Sequence, residues 1–160
     1  MSPALPAPLW LDEIHIENFR CLERVEITDL ARINVLSGAN GAGKTSVLEA
    51  ISLLSLGNSF QATRAGALIR HQTERLVVRG RVRRSQVATI AVGKDRKDTT
   101  VRRNGEVVKS ASSLTQQHPL VVITPDVLEL VRGGPVQRRR LVDRAMFHVE
   151  QGFLHHYRTF

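Results

Sequence analysis

The feature that most constrains this chain is a glycine-rich stretch of eight residues that begins at Gly38. It consists of Gly38, Ala39, Asn40, Gly41, Ala42, Gly43, Lys44 and Thr45. This order matches the phosphate-loop pattern, in which a glycine is followed by four variable residues and then by Gly-Lys-Ser/Thr. An apolar stretch precedes it, and residues 43–56 follow it with apolar side chains at helical spacing. The sequence therefore predicts a strand, a phosphate-binding loop and a helix in succession.

Each residue type in this loop has a chemical reason. Glycines let backbone N–H groups converge on phosphate oxygens, and the start of the helix adds partial positive charge. We expect Lys44 to contact the β- and γ-phosphates, the Thr45 hydroxyl to bind Mg²⁺, and Ser46 to face the α-phosphate. The prediction is an ATP site with Mg²⁺. The alternative, a glycine-rich turn without a ligand, gives no reason for the flanking strand and helix.

The remaining pattern predicts an α/β fold with a β-rich region in its second part. Asn104-Gly105 favours a hairpin, because both residues tolerate positive φ. From residue 75 to residue 108 the pattern changes to β, with stretches rich in β-branched residues. Strands are predicted at residues 9–16, 23–27, 33–37 and 120–123, a short helical piece at 65–69, and helices at 126–131 and from 136 onward.

Composition narrows the class of protein. A chain of 160 residues is long enough for one domain with its own core. No run of 18 apolar residues occurs, residues 1–8 resemble a flexible tail rather than a secretory signal, and Cys21 is the single cysteine. These features predict a cytoplasmic protein with no membrane contact. The net charge of +8 suits an anionic partner such as DNA.

The candidate DNA-binding residues are Arg79, Arg81 and Arg83, which alternate and so share one face of a predicted strand. Such a row could follow DNA phosphates, and the alternative is a solvated sheet face. A second basic cluster, residues 138–140, could contact DNA or a partner protein, and the alternatives are ion pairs with acidic residues such as Asp143 or a solvated face. The six histidines show no metal-ligand spacing, and Cys21 is predicted to be a buried or inert thiol.

No catalytic residue is predicted. ATP hydrolysis in phosphate-loop enzymes needs an acidic group at a strand end for magnesium and water. The only candidate, Asp126, lies beyond the apolar run and behind Pro125. The residues therefore predict nucleotide binding and leave hydrolysis without a catalytic group.

The loop and its surroundings resemble the ATPase heads of the SMC/Rad50/RecF group. The resemblance rests on residues 16–20 (Ile-Glu-Asn-Phe-Arg), on residues 38–51, and on residues 125–143 with their Arg-Gly-Gly-Pro segment. Within the group the chain is most similar to the RecF family of bacterial DNA replication and repair proteins. The similarity covers almost the whole chain after residue 10.

The resemblance implies a function and partners. It implies an ABC-type head that binds ATP and Mg²⁺, binds DNA ends and gaps when ATP is bound, and supports the SOS response. It also implies an ATP-dependent homodimer, a RecR-like mediator as partner and a weak DNA-dependent ATPase in the full-length family. Arg20 matches an arginine that lies near the nucleotide phosphates in related heads, and the alternative is an exposed turn arginine.

The domain expectation is a tail at residues 1–8 and a partial head at residues 9–160. In the resembling family the signature motif and the acidic magnesium-binding strand come later in the chain, so this sequence is expected to stop before both. Three alternatives stay open: another ATPase of the SMC/Rad50 group, an inactive fragment that binds nucleotide, and a small-molecule kinase.

Overall fold

The architecture is one antiparallel sheet with a helix packed on one face. The computed structural model describes residues 8–57, 59–61, 65–108 and 118–124, together with Pro135 and Arg139. Within these residues the sheet has six strands in the order β2-β1-β3-β4-β5-β6, and every neighbouring pair is antiparallel. The elements are β1 (Trp10–Phe19), β2 (Leu22–Ile27), α1 (Lys44–Leu56), a 3₁₀ turn (Ala65–Ala67), β3 (Arg75–Arg83), β4 (Val87–Asp95), β5 (Thr99–Arg103) and β6 (Glu106–Val107).

The core lies between the sheet and α1. Along β3 the side chains alternate between exposed and buried, as a strand with one covered face requires. Leu53 and Leu54 of α1 pack over this face, where Ile14, Ile16 and Val78 are fully buried. This packing fixes the start of α1, and therefore the loop before it, against the β1–β2 hairpin.

The hairpin prediction at Asn104-Gly105 is confirmed. Asn104 has φ 49° and Gly105 has φ 88°, the positive values that a two-residue turn between twisted strands needs. The turn joins β5 to β6, and Arg102 pairs with Val107 across it. The short helical piece predicted near residue 65 is also present, as the 3₁₀ turn.

Two strand predictions are wrong in this structure. Residues 33–37 and 120–123 contain no strand, and their apolar side chains are exposed: 87% for Val35 and 78% for Ile123. A strand persists only when a neighbour takes up its backbone N–H and C=O groups. No described strand lies beside either segment, so their apolar composition alone does not place them in a sheet.

Helical spacing predicts an apolar stripe on α1 made of Val47, Leu48, Ile51, Leu54 and Leu56, and this prediction is partly wrong. Val47 and Leu54 are buried as predicted, but Leu48 is 49% exposed and Glu49 is 1% exposed. Helical spacing alone would put Glu49 on a polar face. It is buried because it has a charged partner, which is described below.

Other predictions lie outside the described residues. These are the tail up to residue 7, the helices at 126–131 and from 136, and the basic cluster at 138–140, of which only Arg139 is described. Across the described part of the chain, no helix is both long and apolar enough to span a membrane.

Candidate nucleotide site

The loop before α1 is shaped by its glycines. Gly38, Gly41 and Gly43 all have positive φ, at 148°, 81° and 91°. The loop contains one tight turn, in which the Ala42 N–H donates to the Ala39 carbonyl at 3.3 Å. At Gly43 the conformation is the left-handed one, and it is followed at once by the first helical residue, Lys44. The predicted junction of glycine loop and helix is therefore present.

Gly43 is restricted by space as well as by φ. A Cβ atom at this position would lie 2.6 Å from Leu22 Cδ2 and 3.4 Å from Cys21 Sγ. Leu22 is a core residue at the start of β2, so the β1–β2 hairpin forms the floor of the loop. This close approach requires glycine.

Lys44 already points into the loop. Its Nζ donates to the carbonyl oxygens of Gly38 and Ala39, both at 2.8 Å. An ammonium group has three donors, so one N–H is left for a phosphate oxygen. The loop backbone therefore holds the positive charge where the pattern predicts contact with phosphate.

The first turn of α1 offers backbone donors. The first helical bond runs from the Val47 N–H to the Gly43 carbonyl at 3.0 Å, and no side chain caps the helix start. The N–H groups of Lys44, Thr45 and Ser46 come before that bond and have no helical acceptor. Together with the partial charge of the helix end, they are the kind of donor set to which anions bind at helix N-termini.

Thr45 and Ser46 differ in exposure. Thr45 is exposed beside the loop, and its hydroxyl fits the single protein ligand that Mg²⁺ takes when phosphate oxygens and waters supply the rest. Ser46 is 7% exposed, and its Oγ lies 3.5 Å from Cys21 Sγ. Contact of Ser46 with the α-phosphate stays a prediction. The backbone N–H of Ser46, rather than its buried hydroxyl, would make that contact. Cys21 is exposed, so the prediction that it is buried is wrong.

Arg20 is bound to Glu49 of α1. Its Nη2 donates to Glu49 Oε1 at 2.7 Å, and its Nε lies 2.5 Å from Oε2 at an angle outside the hydrogen-bond range. The Ser59 hydroxyl also donates to Oε1. Glu49 thus joins the β1–β2 turn, the phosphate-loop helix and the segment after that helix. Contact of Arg20 with a phosphate stays a prediction, because its guanidinium is paired with the Glu49 carboxylate.

We expect Glu49→Gln to lower the free energy of unfolding by about 2 kcal/mol. Breaking a buried ion pair costs about 3–5 kcal/mol. The Arg20 side chain is 29% exposed and recovers part of that cost in water. Urea denaturation measures the change.

Glu23→Gln is the matched control for this substitution. Glu23 also pairs with an arginine, Arg70, at 3.1 Å, but its side chain is 76% exposed. We expect that variant to change stability by less than about 0.5 kcal/mol. Equal effects of the two substitutions would contradict a structural role for the Glu49 pair.

The candidate DNA-binding arginines do share the exposed face of β3, as predicted. Two of them are compensated: Arg81 Nε and Arg83 Nη2 lie 2.9 and 3.0 Å from Asp12 Oδ2. Arg81 also contacts Glu13 at 2.6 Å. The hydrogen bond from Arg83 is the main cause that lowers the pKa of Asp12. Arg79 is the member of the row for which the described residues show no such carboxylate contact.

Sequence reasoning missed the residues that support the loop. Leu22 forms its floor, Glu49 fixes its helix, and Asp12 neutralises two arginines of the basic row. The contacts of Leu22 with Gly43, of Glu49 with Arg20 and of Asp12 with the two arginines join residues at least 21 positions apart, so no local pattern signals them. The burial of Glu49 had no local sign either, because helical spacing assigns it to the polar face of α1. No group of three His, Cys, Asp or Glu side chains among the described residues could hold a metal ion.

Comparison with known proteins identifies the family. The family model described as an AAA domain matches residues 13–133, more than half of the chain. The DNA replication and repair protein RecF of Pseudomonas putida (strain W619) is 41% identical over 147 residues. RecF of Yersinia pseudotuberculosis serotype IB is 39% identical over 145 residues. The chain spans only 40% of the length of each of these relatives.

Solved structures agree with the sequence matches. The structure of the recombination mediator protein RecF–ATP in the RecFOR pathway aligns with a TM-score of 0.82 and 29% identity, covering 91% of this chain and 41% of that one. An SMC ATPase structure aligns with a TM-score of 0.68 at 17% identity, which shows a shared fold. The predicted α/β ATPase-head fold is therefore confirmed. The chain belongs to the AAA domain family, and its predicted resemblance to RecF proteins is confirmed in sequence and in fold.

Proposed function

We propose that this chain binds ATP and Mg²⁺ in the loop at residues 38–45, as the nucleotide-binding part of a recombination mediator in DNA repair. The observation that carries the proposal is the geometry of the loop. Lys44 is held by two loop carbonyls at 2.8 Å, next to a helix start whose N–H groups have no cap. The similarity to RecF, including the RecF–ATP structure, supports ATP as the nucleotide.

In this proposal ATP acts as a conformational ligand. Two copies of the protein would close around bound nucleotide, and the closed dimer would retain DNA at single-stranded gaps. A RecR-like mediator would be the protein partner, in a cytoplasmic pathway that serves replication, repair and the SOS response. The Thr45 hydroxyl would hold Mg²⁺, whose charge offsets that of the phosphates. No residue is assigned a catalytic role.

A second candidate is a unit that binds nucleotide without touching DNA itself. The specific observation in its favour is Asp12, which lies within 3.0 Å of both Arg81 and Arg83 and compensates their charge. An exposed arginine that is already paired gives up that pair when it contacts a DNA phosphate. Arg79 is therefore the first residue of the row to test.

The proposal is tested by filter binding of the protein to gapped duplex DNA, with and without ATP–Mg²⁺, at two salt concentrations. We expect retention only with ATP, and a steep loss of retention at the higher salt concentration. Arg79→Gln should reduce the slope of log affinity against log salt by roughly 1, as loss of one phosphate contact does. Arg83→Gln, which removes a compensated charge, is the comparison variant and should change the slope less.

ATP binding is measured separately by thermal melting. At a concentration one hundred times its Kd, ATP should stabilise the protein by about 2.7 kcal/mol and raise Tm by roughly 5–10 °C. A Tm shift without DNA retention would favour the second candidate. Retention of DNA that is equal with and without ATP would contradict the gated mechanism.

A further inference from the structure

The face of the sheet that lies opposite α1 has an arginine on each side of Ala91. Ala91 of β4 pairs with Arg79 of β3 and with Arg102 of β5, and directly paired residues have their side chains on the same face. Val78 and Val92, next to them in sequence, are buried in the core, so the three side chains lie on the opposite, outer face. Both arginines are exposed, and their Cα atoms are about 10 Å apart, two cross-strand steps. Together the three residues form the Arg79–Arg102 site.

The two arginines of this site keep their positive charge uncompensated. In the same row across the sheet, His15 lies beyond Arg79 and Val107 lies beyond Arg102, and neither of these neighbours is acidic. In the part of the chain that the structure describes, neither arginine forms an ion pair, since the adjacent carboxylates of β1 contact the other two arginines of the β3 row. Arg102 donates to the Gly105 carbonyl at 3.1 Å, which holds its side chain and leaves its charge unchanged. Two exposed cations that face each other require an anion for balance.

The floor between the arginines is low, because β4 has short side chains on its outer face. Thr89, Ala91 and Gly93 occupy this face in order. Arg75 shows that a guanidinium group from β3 can lie over this floor, because a Cβ atom at Gly93 would be only 2.5 Å from Arg75 Nη2. Long cationic side chains on both sides of a low floor leave room for a phosphate group, which guanidinium groups bind through paired, charge-assisted hydrogen bonds.

We propose that Arg79 and Arg102 hold one phosphate of a nucleic acid strand between them, above Ala91. The choice of ligand rests on the proposed function, which makes DNA the polyanion that this protein meets. The basic row of β3 is then one side of a two-sided site, and Arg102 is a DNA contact that the alternation of residues along β3 does not reveal. Contacts with phosphate carry no sequence information, so binding at this site should tolerate any base sequence.

Arg102→Gln and Arg103→Gln form a matched pair of test variants, since they remove one charge each from neighbouring exposed positions of β5. Arg103 pairs with Ile90, a core residue, and therefore lies on the other face of the sheet. We expect R102Q and R79Q each to weaken binding of a short oligothymidylate by roughly tenfold, as loss of a charged hydrogen-bonding group does. R103Q should change it by less than about twofold at about 0.15 M salt, where more distant charges are screened. Melting curves check that each variant folds.

The double variant R79Q/R102Q tests whether the two arginines share one phosphate. If they do, loss of either one releases the phosphate from the site, so the second substitution adds little. The loss of affinity in the double variant should then be clearly smaller than the product of the two single losses. Losses that multiply would place the two arginines on different phosphates and would overturn the shared site.

A charge placed on the floor provides the converse test. Ala91→Glu introduces a carboxylate between the two arginines, and we expect it to weaken oligothymidylate binding at least as much as R102Q does. Val87→Glu is the control, because Val87 is exposed on the same face of β4 but four residues further along the strand. Equal losses in these two variants would contradict a phosphate site above Ala91.

The Nε–H signals of Arg79 and Arg102 in NMR spectra report the contact without ATP, including binding too weak for a filter to retain. Oligothymidylate should shift both signals with the same Kd and leave the signal of Arg103 in place. Shifts without ATP-dependent retention of gapped DNA would support the site and contradict the proposed function. Retention that R79Q and R102Q leave unchanged, with no shift of either signal, would overturn the site and leave the proposed function standing. Equal shifts with the same concentration of inorganic phosphate would indicate a site for the free anion and overturn the assignment to nucleic acid.

Discussion

Replacing Lys44 with alanine is expected to weaken ATP binding by roughly 100-fold, because it removes a charged donor to phosphate and the charge itself. The side chain is already placed: its Nζ is held at 2.8 Å by the carbonyls of Gly38 and Ala39. The Lys44 side chain therefore loses little conformational entropy when ATP binds, so its contact with phosphate contributes almost fully to the affinity. The ATP-dependent rise in Tm should fall to near zero at ATP concentrations that saturate the wild-type protein.

Lys97→Ala is the control for loss of one lysine charge. Lys97 lies in the turn between β4 and β5, where its backbone N–H donates to Asp95 Oδ1 at 2.8 Å. This variant should bind ATP as the wild type does. Undiminished ATP affinity in Lys44→Ala would contradict the site. ATP-dependent retention of gapped DNA should disappear together with ATP binding in Lys44→Ala if the two are coupled as proposed.

The sequence was sufficient for features whose causes are local. The backbone conformation of the glycine loop and the Asn104-Gly105 turn follow from which residues tolerate positive φ, and both conformations are present. The exposed row at Arg79, Arg81 and Arg83 follows from the period of two in a strand, and it too is present. Each of these conclusions depends on residues that are adjacent or alternate in the chain.

The wrong predictions of two strands and of the apolar stripe of α1 depended on distant partners. Residues 33–37 and 120–123 have strand-like composition, but a strand is defined by the neighbour that bonds to it, which composition does not reveal. Glu49 is buried because Arg20, 29 positions earlier, provides a counter-charge. The same limitation hid the compensation of Arg83 by Asp12, 71 positions away. Tertiary contacts decided each case.

Gly43→Ala is expected to have the largest effect on stability of any single substitution in the loop, at about 3 kcal/mol. Part of the cost is conformational, because Gly43 has φ 91° and an alanine in this region is strained by about 1–2 kcal/mol. The rest is steric, since the new Cβ would lie 2.6 Å from Leu22 Cδ2 in the core. Overpacking of this kind costs about 1–3 kcal/mol. Denaturant unfolding without nucleotide measures the sum.

Substitutions at two other glycines separate the conformational cost from the steric cost. Gly41 has φ 81° but open space where a Cβ would be, so Gly41→Ala should cost only the conformational part. Gly66 has open space and no positive φ, so Gly66→Ala should change stability by less than about 0.5 kcal/mol or increase it slightly. The expected order of destabilisation is therefore Gly43, then Gly41, then Gly66.

A double-mutant cycle with Leu22→Ala identifies the steric partner. Leu22→Ala alone should destabilise by about 2–3 kcal/mol, because Leu22 is 8% exposed in the core. In the double variant the added Cβ occupies part of the space that the leucine leaves, so the combined loss should be smaller than the sum of the single losses. Additive losses, or equal stability of Gly43→Ala and Gly41→Ala, would contradict the contact between hairpin and loop. The contact between Leu22 and Gly43 holds the loop in place. The double variant could recover stability without recovering ATP binding. That result would mean that the backbone conformation at Gly43, and not only the space around it, determines nucleotide affinity.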